Sequence, residues 1–316
     1  MARRLRGVVL ALALLSGCDA EKPDSPPSSV FPERTIKPLN AKARRPRQSA
    51  PFTFLVAGHV YGDWQKKPVL PPAGLRRYLA QDHHDDLIVL LGDSVYRYAE
   101  RGPTMEFLKT VPIPVYNAPG NHDYTQPRDY EKRYGPSYGG FMHGGSLFVV
   151  LNTEVQPWHI SKTQLRWLDR VMAGAVERDD IERVFVFAHK LVFAANERYL
   201  PVLLQANESY PLQGPNNFDT EVRPLLSRIA KRRPVTWFSG DVGTPRSMPL
   251  FRDQDPESGI TYVATGLGDN ASDHLLRIAV PAEGPISITV VPLAKGPSPK
   301  FIDAGLEAWR ARLERK

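Results

Sequence analysis

Forty-one Lys and Arg against 34 Asp and Glu give this 316-residue chain a formal net charge of +7, with 42% hydrophobic residues and a single cysteine. The surplus is local: residues 1 to 50 hold ten basic and four acidic side chains (+6), leaving 31 against 30 (+1) for the rest. The folded part therefore offers no basic face to a nucleic acid. A lone cysteine excludes an internal disulfide framework.

Arg3, Arg4 and Arg6, the apolar stretch Gly7 to Leu15 and then Ser16-Gly17-Cys18 read as an export signal over residues 1 to 18, too short to span a bilayer. The segment resembles a bacterial lipobox, which implies cleavage before Cys18, lipidation of that residue and a protein anchored on the periplasmic face of a bacterial membrane. An ordinary signal peptide with an incidental cysteine is the other reading. Asp19 resembles an inner-membrane retention signal. Residues 19 to 50, with Pro23, Pro26, Pro27, Pro32, Pro38 and Pro46 and few large apolar residues, predict an extended, solvated and basic tether suited to anionic lipids.

From Pro51 onward the chain is long enough for one α/β domain over 51–295, followed by a C-terminal helical extension over 296–316. Short apolar runs predict buried strands at 52–57, 87–91, 115–118, 147–152, 184–188 and 235–239. Helices are expected around Leu75, Tyr78 and Leu79, around Leu165, Leu168 and Met172 behind Ser161 as cap, and around Val222, Leu225, Leu226 and Ile229. Runs near 260–264, 275–280 and 286–291 follow without intervening helices, which predicts antiparallel pairing. Leu306, Trp309 and Leu313 mark a terminal helix. Residues 190 to 218, interrupted by Pro201, Pro211 and Pro215, predict a long loop of the kind that carries function.

Chemistry concentrates at the strand ends. Leu91-Gly92-Asp93 closes one apolar run and Gly120-Asn121-His122-Asp123 another, while His59, His189 and Asp241 follow three more. Strand ends are where open α/β sheets build their sites. Carboxylate and amide oxygens beside imidazoles suit Mn, Mg, Fe or Zn, and an imidazole also moves protons near neutral pH. Asp82, His83, His84, Asp85 and Asp86 read as a solvated helix end, and Arg232 and Arg233 as another. Tyr96, Tyr98 and Tyr124 either shape a pocket or pack.

These motifs resemble the calcineurin-like metallophosphoesterases over residues 51 to 292, and Tyr134-Gly135-Pro136-Ser137-Tyr138 with Gln164-Leu165-Arg166-Trp167-Leu168 is similar to the purple-acid-phosphatase-like branch. Leu151-Asn152-Thr153 stands where relatives carry Leu-Asp-Thr or Leu-Asp-Ser. The resemblance implies a four-layer α/β/β/α sandwich with mixed sheets and two divalent cations. It makes Asp93 the bridging carboxylate, His59 a ligand of the first cation, Asn121, His189 and Asp241 ligands of the second, and His122 the catalytic histidine. Two positions depart from it. Ala57-Gly58-His59 stands for Asp-x-His, and Gly240-Asp241-Val242-Gly243 for Gly-His-x-His, so the first cation loses two ligands. The expectation is one divalent metal firmly bound at the second position and a depleted first position, with Asp63, His143, Asp269 or Asn270 as substitute ligands there or simply turn and strand-edge residues. The function expected is hydrolysis of a small phosphoester or an envelope glycan or lipid phosphate. The alternative is a noncatalytic binding or assembly protein of the cell envelope.

Overall fold

A computed structural model describes residues 31–45, 47–81, 84–204, 206, 216–244 and 248–315. The signal segment, Cys18 and the first part of the tether lie outside them. The chain runs β1 (Phe52–Gly58), α1 (Ala73–Leu79), β2 (Leu87–Leu91), α2 (Gly102–Thr110), β3 (Val115–Asn117), α3 (Pro127–Tyr134), β4 (Gly139–His143), β5 (Ser146–Val150), α4 (Lys162–Val176) and β6 (Arg183–Ala188). It continues through α5 (Leu200–Leu203), α6 (Arg223–Ala230), β7 (Val235–Ser239), β8 (Leu250–Gln254), β9 (Thr261–Thr265), β10 (His274–Val280), β11 (Ser287–Pro292) and α7 (Leu306–Glu314).

Two mixed sheets result, ordered β11-β10-β1-β2-β3 and β4-β5-β6-β7-β9-β8. Side chains alternate across β1, as strand geometry requires. Phe54 and Val56 enter a core between the sheets with Phe148, Phe185, Phe187 and Phe238. Leu55 and Ala57 point the other way, against Leu75, Leu79 and Leu108 of α1 and α2. On the far side of the second sheet, Leu147, Val149, Val184 and Val186 pack on Leu168, Val171 and Met172 of α4 and Leu226 and Ile229 of α6. The expected four layers α/β/β/α are present.

Several expectations change. The strands β4 and β8 were not anticipated, because Gly139-Gly140-Phe141-Met142-His143 and Leu250-Phe251-Arg252-Asp253-Gln254 each hold only two large apolar residues. β10 is antiparallel to β11, as expected, and also to β1, but β9 lies in the other sheet, parallel to β7. β8, antiparallel to β9 on the sheet's outer edge, supplies the crossover that a helix usually makes.

The tether is shorter than its composition implied. Thr35 bridges Gly140 at the edge strand β4, and Leu39 N donates to Val115 O at 2.7 Å on the edge strand β3. Buried Asn40 donates to the Val111 and Ile113 carbonyls and accepts from Val115 N. This half of the Pro-rich segment is a strap that covers one open edge of each sheet, which satisfies backbone groups that edges leave unpaired.

Asp85 and Asp86 are buried, not part of a solvated helix end. Asp85 pairs with Arg277 at 2.8 Å and Asp86 with Arg47 at 3.0 Å. Arg233 is also no solvent residue: its guanidinium donates to the Ala175, Val176 and Arg178 carbonyls and so caps the C-terminus of α4.

His143 sits edge-on to Phe52, the first residue of β1, with Nε2 3.8 Å from Asp86 Oδ2. That places it at the opposite end of β1 from His59, roughly 20 Å of strand away, and it cannot replace a ligand there. Burial pushes its pKa down to about 4, with Asp86 pulling weakly upward. Its folded pKa lies below the unfolded value of about 6.5, so the neutral form is favoured on folding. The associated stability is complete above pH 6.5 and is lost as pH falls to about 4. On the order of 2 kcal/mol is expected, visible in urea melts as an acid-side loss that His143→Phe lacks.

Candidate metal centre

The carboxyl ends of β1, β2, β3, β6 and β7 meet at one end of the sandwich and present His59, Asp93, the loop 120–123, His189 and Asp241. Ligating atoms of His59, Asp93 and Asp241 all lie within 4.8 Å of one another. His189 Nε2 is 3.5 Å from Asp93 Oδ1 and 3.7 Å from Asp241 Oδ2, and His59 Nε2 is 3.8 Å from Asp93 Oδ2. All four side chains are buried. These separations are too long for hydrogen bonds, and they leave room for something between the groups.

The donor atoms are orphaned in a way that fits a cation. His59 Nδ1 and Nε2, Asp93 Oδ2 and His189 Nε2 are buried without a hydrogen-bond partner. His189 Nδ1 lies 2.7 Å from the Leu91 carbonyl, which can only accept, so Nδ1 carries the proton and Nε2 turns its lone pair toward two carboxylates. Burial lowers the pKa of His189, and Asp93 and Asp241 outweigh it to give a net rise. Burial lowers the pKa of His59 despite the same carboxylates. A bound divalent cation removes both conflicts. His59 (φ +47°) and Asp93 (φ +53°) also hold left-handed backbone that such residues rarely adopt, strain of the kind found where a site over-determines its geometry.

His122 stands beside this cluster. Its backbone N–H donates to Asp93 Oδ1 at 3.2 Å, and Nδ1 lies 2.6 Å from the Tyr96 carbonyl. Its ring stacks on Tyr96 (centroids 5.5 Å apart) and leans on Tyr61 (5.0 Å), which also contacts His59 (4.6 Å). Tyr96 therefore belongs to the site. Tyr98 is buried against Arg101, and Tyr124 bonds Glu131 and Ser137, so both pack. Beside His59 a cleft of about 370 Å³ opens between Tyr61, Trp64, Lys66, Thr244 and Asp269.

Asn121 borders the cluster through Lys190. Its amide oxygen accepts from Lys190 Nζ at 2.7 Å, and the same ammonium lies 3.2 Å from Asp241 Oδ2. The missing ligand positions are closed off by packing. Ala57 lies in the helix-side core. Gly243 has φ +90°, and a Cβ there would lie 2.0 Å from the Gly266 carbonyl oxygen, so no imidazole can sit at that position. Asp63 and Asp269 line the cleft, but Asp63 pairs with Lys66 and caps Gln65 N, while Asp269 accepts from Asp63 N. Asn270 bonds Ser272 and Gly243. All three are turn residues.

Sequence reasoning passed over two participants. Lys190 follows a strand, where lysine usually means solvent. Asp123 closes its motif as an ordinary turn residue would, yet it is buried. Its carboxylate accepts from the backbone N–H groups of Ser94, Val95 and Gly120 and from Asn117 Nδ2, which staples the two site loops together. Burial, and then the charge of Asp93, raise its pKa to about 6. Gly120 permits that close approach, since a Cβ there would lie 2.3 Å from Asp93 Oδ1.

No curated protein matches the chain. The family model described as calcineurin-like phosphoesterase matches residues 60–223, a span that holds Asp93, Asn121, His122 and His189 and stops between His59 and Asp241 at its two ends. That span is just over half of the 316 residues, and with a sandwich whose strand ends gather a buried His/Asp cation cluster, the chain belongs to the calcineurin-like phosphoesterase family.

Proposed function

We propose that this protein is an extracytoplasmic, lipid-anchored phosphoester hydrolase of the acid-phosphatase-like branch, working with one firmly held divalent cation. The observation that carries the reading is the set of orphaned buried donors on His59, Asp93 and His189 beside Asp241, with His122 poised next to them. His59, Asp93 and Asp241 would hold the cation, with His189 Nε2 turned toward the same two carboxylates. When bound, it supplies charge for a phosphoryl oxygen and acidity for the attacking water.

The remaining steps belong to the chain's own groups. The Tyr96 carbonyl fixes the His122 tautomer with the proton on Nδ1, so in the imidazolium form Nε2 carries a second proton to give to the leaving alkoxide. Tyr61 and Tyr96 hold the ring in place and exclude water from two of its sides. Trp64, 52% exposed and stacked on Tyr96, extends this aromatic wall outward, where a leaving group can rest. The export-like leader points to an envelope glycan or lipid phosphate, or another small phosphoester, as substrate.

The test is a panel of phosphomonoesters and phosphodiesters turned over by the purified full chain before and after chelation. Activity should vanish with chelator and return with Mn, Fe, Zn or Mg. Bound metal without turnover across the panel would instead favour a noncatalytic envelope binding protein. Cys18→Ala is the matching test of anchoring: it should release the protein from the membrane fraction.

A further inference from the structure

Lys190 belongs to the site, and the family pattern gives it no role. It follows His189 at the end of β6 and is only 7% exposed. Its Nζ is placed by three different partners: Asn121 Oδ1 at 2.7 Å, Asp241 Oδ2 at 3.2 Å and the Trp158 ring, whose centroid is 5.4 Å away. Trp158 holds a left-handed backbone (φ +68°). Glu154, on the same loop as Trp158, is a further carboxylate close enough to attract the ammonium. The loop that brings Glu154 and Trp158 here is itself clamped, because Gln164 of α4 bonds both the N–H and the C=O of Asn152 at 2.8 Å.

An amide oxygen, a carboxylate oxygen and a π face around one point form a cation cage, and the cage is filled by a side chain. Asn121 and Asp241 are two of the residues expected to bind a second metal. We infer that the Lys190 ammonium occupies the position of the second cation, so that the site takes one divalent ion at His59, Asp93 and Asp241, faced by His189, and uses a covalently attached charge as the other half of the clamp. This inference rests on the proposed hydrolase reading. With a fixed monovalent charge beside Asp241, a second divalent ion would meet repulsion rather than a vacant set of donors.

Mn²⁺ binding to the purified full chain tests it, read by elemental analysis after desalting and by electron paramagnetic resonance, neither of which depends on turnover. The wild type should take up one equivalent with a mononuclear spectrum. Lys190→Ala should gain a second equivalent with spin-coupled lines, while Lys190→Arg should stay at one. Asn121→Ala, whose oxygen faces the ammonium, should leave the affinity of the single ion within about threefold. Two coupled ions in the wild type would show that the ammonium is pushed aside and would overturn the inference, as would a folded Lys190→Ala that still stops at one. No binding by the wild type would overturn the hydrolase reading along with it.

Discussion

His122→Ala is expected to slow hydrolysis of an alkyl phosphoester by about 10² to 10⁴-fold, the usual contribution of a positioned general acid, while Mn²⁺ uptake stays unchanged. The two halves of that expectation come from different atoms. Proton delivery needs the ring, which the Tyr96 carbonyl orients through Nδ1. The link to the cation cluster is made by the backbone N–H of residue 122 to Asp93 Oδ1, and alanine keeps it. The loss should also depend on the leaving group. An aryl phosphate whose phenolate leaves without protonation should lose no more than about tenfold, because acid catalysis follows the basicity of the departing oxygen. A loss equal for alkyl and aryl substrates would show that His122 positions substrate instead.

Asp93→Ala is expected to abolish cation binding and to lower activity by at least about 10³-fold, beyond the effect of removing a single preorganised stabilising group. Asp93 faces His59, His189 and the His122 N–H at once, so it joins the cation cluster directly to the loop that carries the proton donor. Metal-free stability should move the other way. The Asp93 carboxylate is buried near Asp241 and raises the pKa of Asp123, so its removal relieves like-charge repulsion. The chelated variant should melt no lower than the chelated wild type, and added Mn²⁺ should raise only the wild-type midpoint. A variant that binds Mn²⁺ normally would remove Asp93 from the centre of the site.

The strands that frame the site were legible because each is a continuous apolar run closed by a polar residue: Phe52–Gly58 before His59, Leu87–Leu91 before Asp93 and Arg183–Ala188 before His189. Edge strands were not, since β4 and β8 bury few side chains and draw their pairing from the neighbouring strand's backbone. The strap hid for a related reason. Its proline content predicts solvated chain, yet Leu39 and Asn40 bind it through hydrogen bonds that composition does not encode. Within the site, residue types announced which groups could ligate, but not how they are shared. Asn121 and Lys190 are 69 residues apart, and only the meeting of the two sheet ends brings amide and ammonium to 2.7 Å. Gly243 read as a lost ligand, while the reason that no side chain fits there is its contact with Gly266.

The central claim is a single cation held by His59, Asp93 and Asp241 and faced by His189, with the Lys190 ammonium rather than a second cation on Asn121. Anomalous diffraction at the manganese edge from crystals of the protein grown with excess Mn²⁺ addresses it directly. The account predicts one strong peak among those four side chains, with Lys190 Nζ still on Asn121 and Asp241. A second peak of comparable height against Asn121, or no peak beside His59, would contradict it.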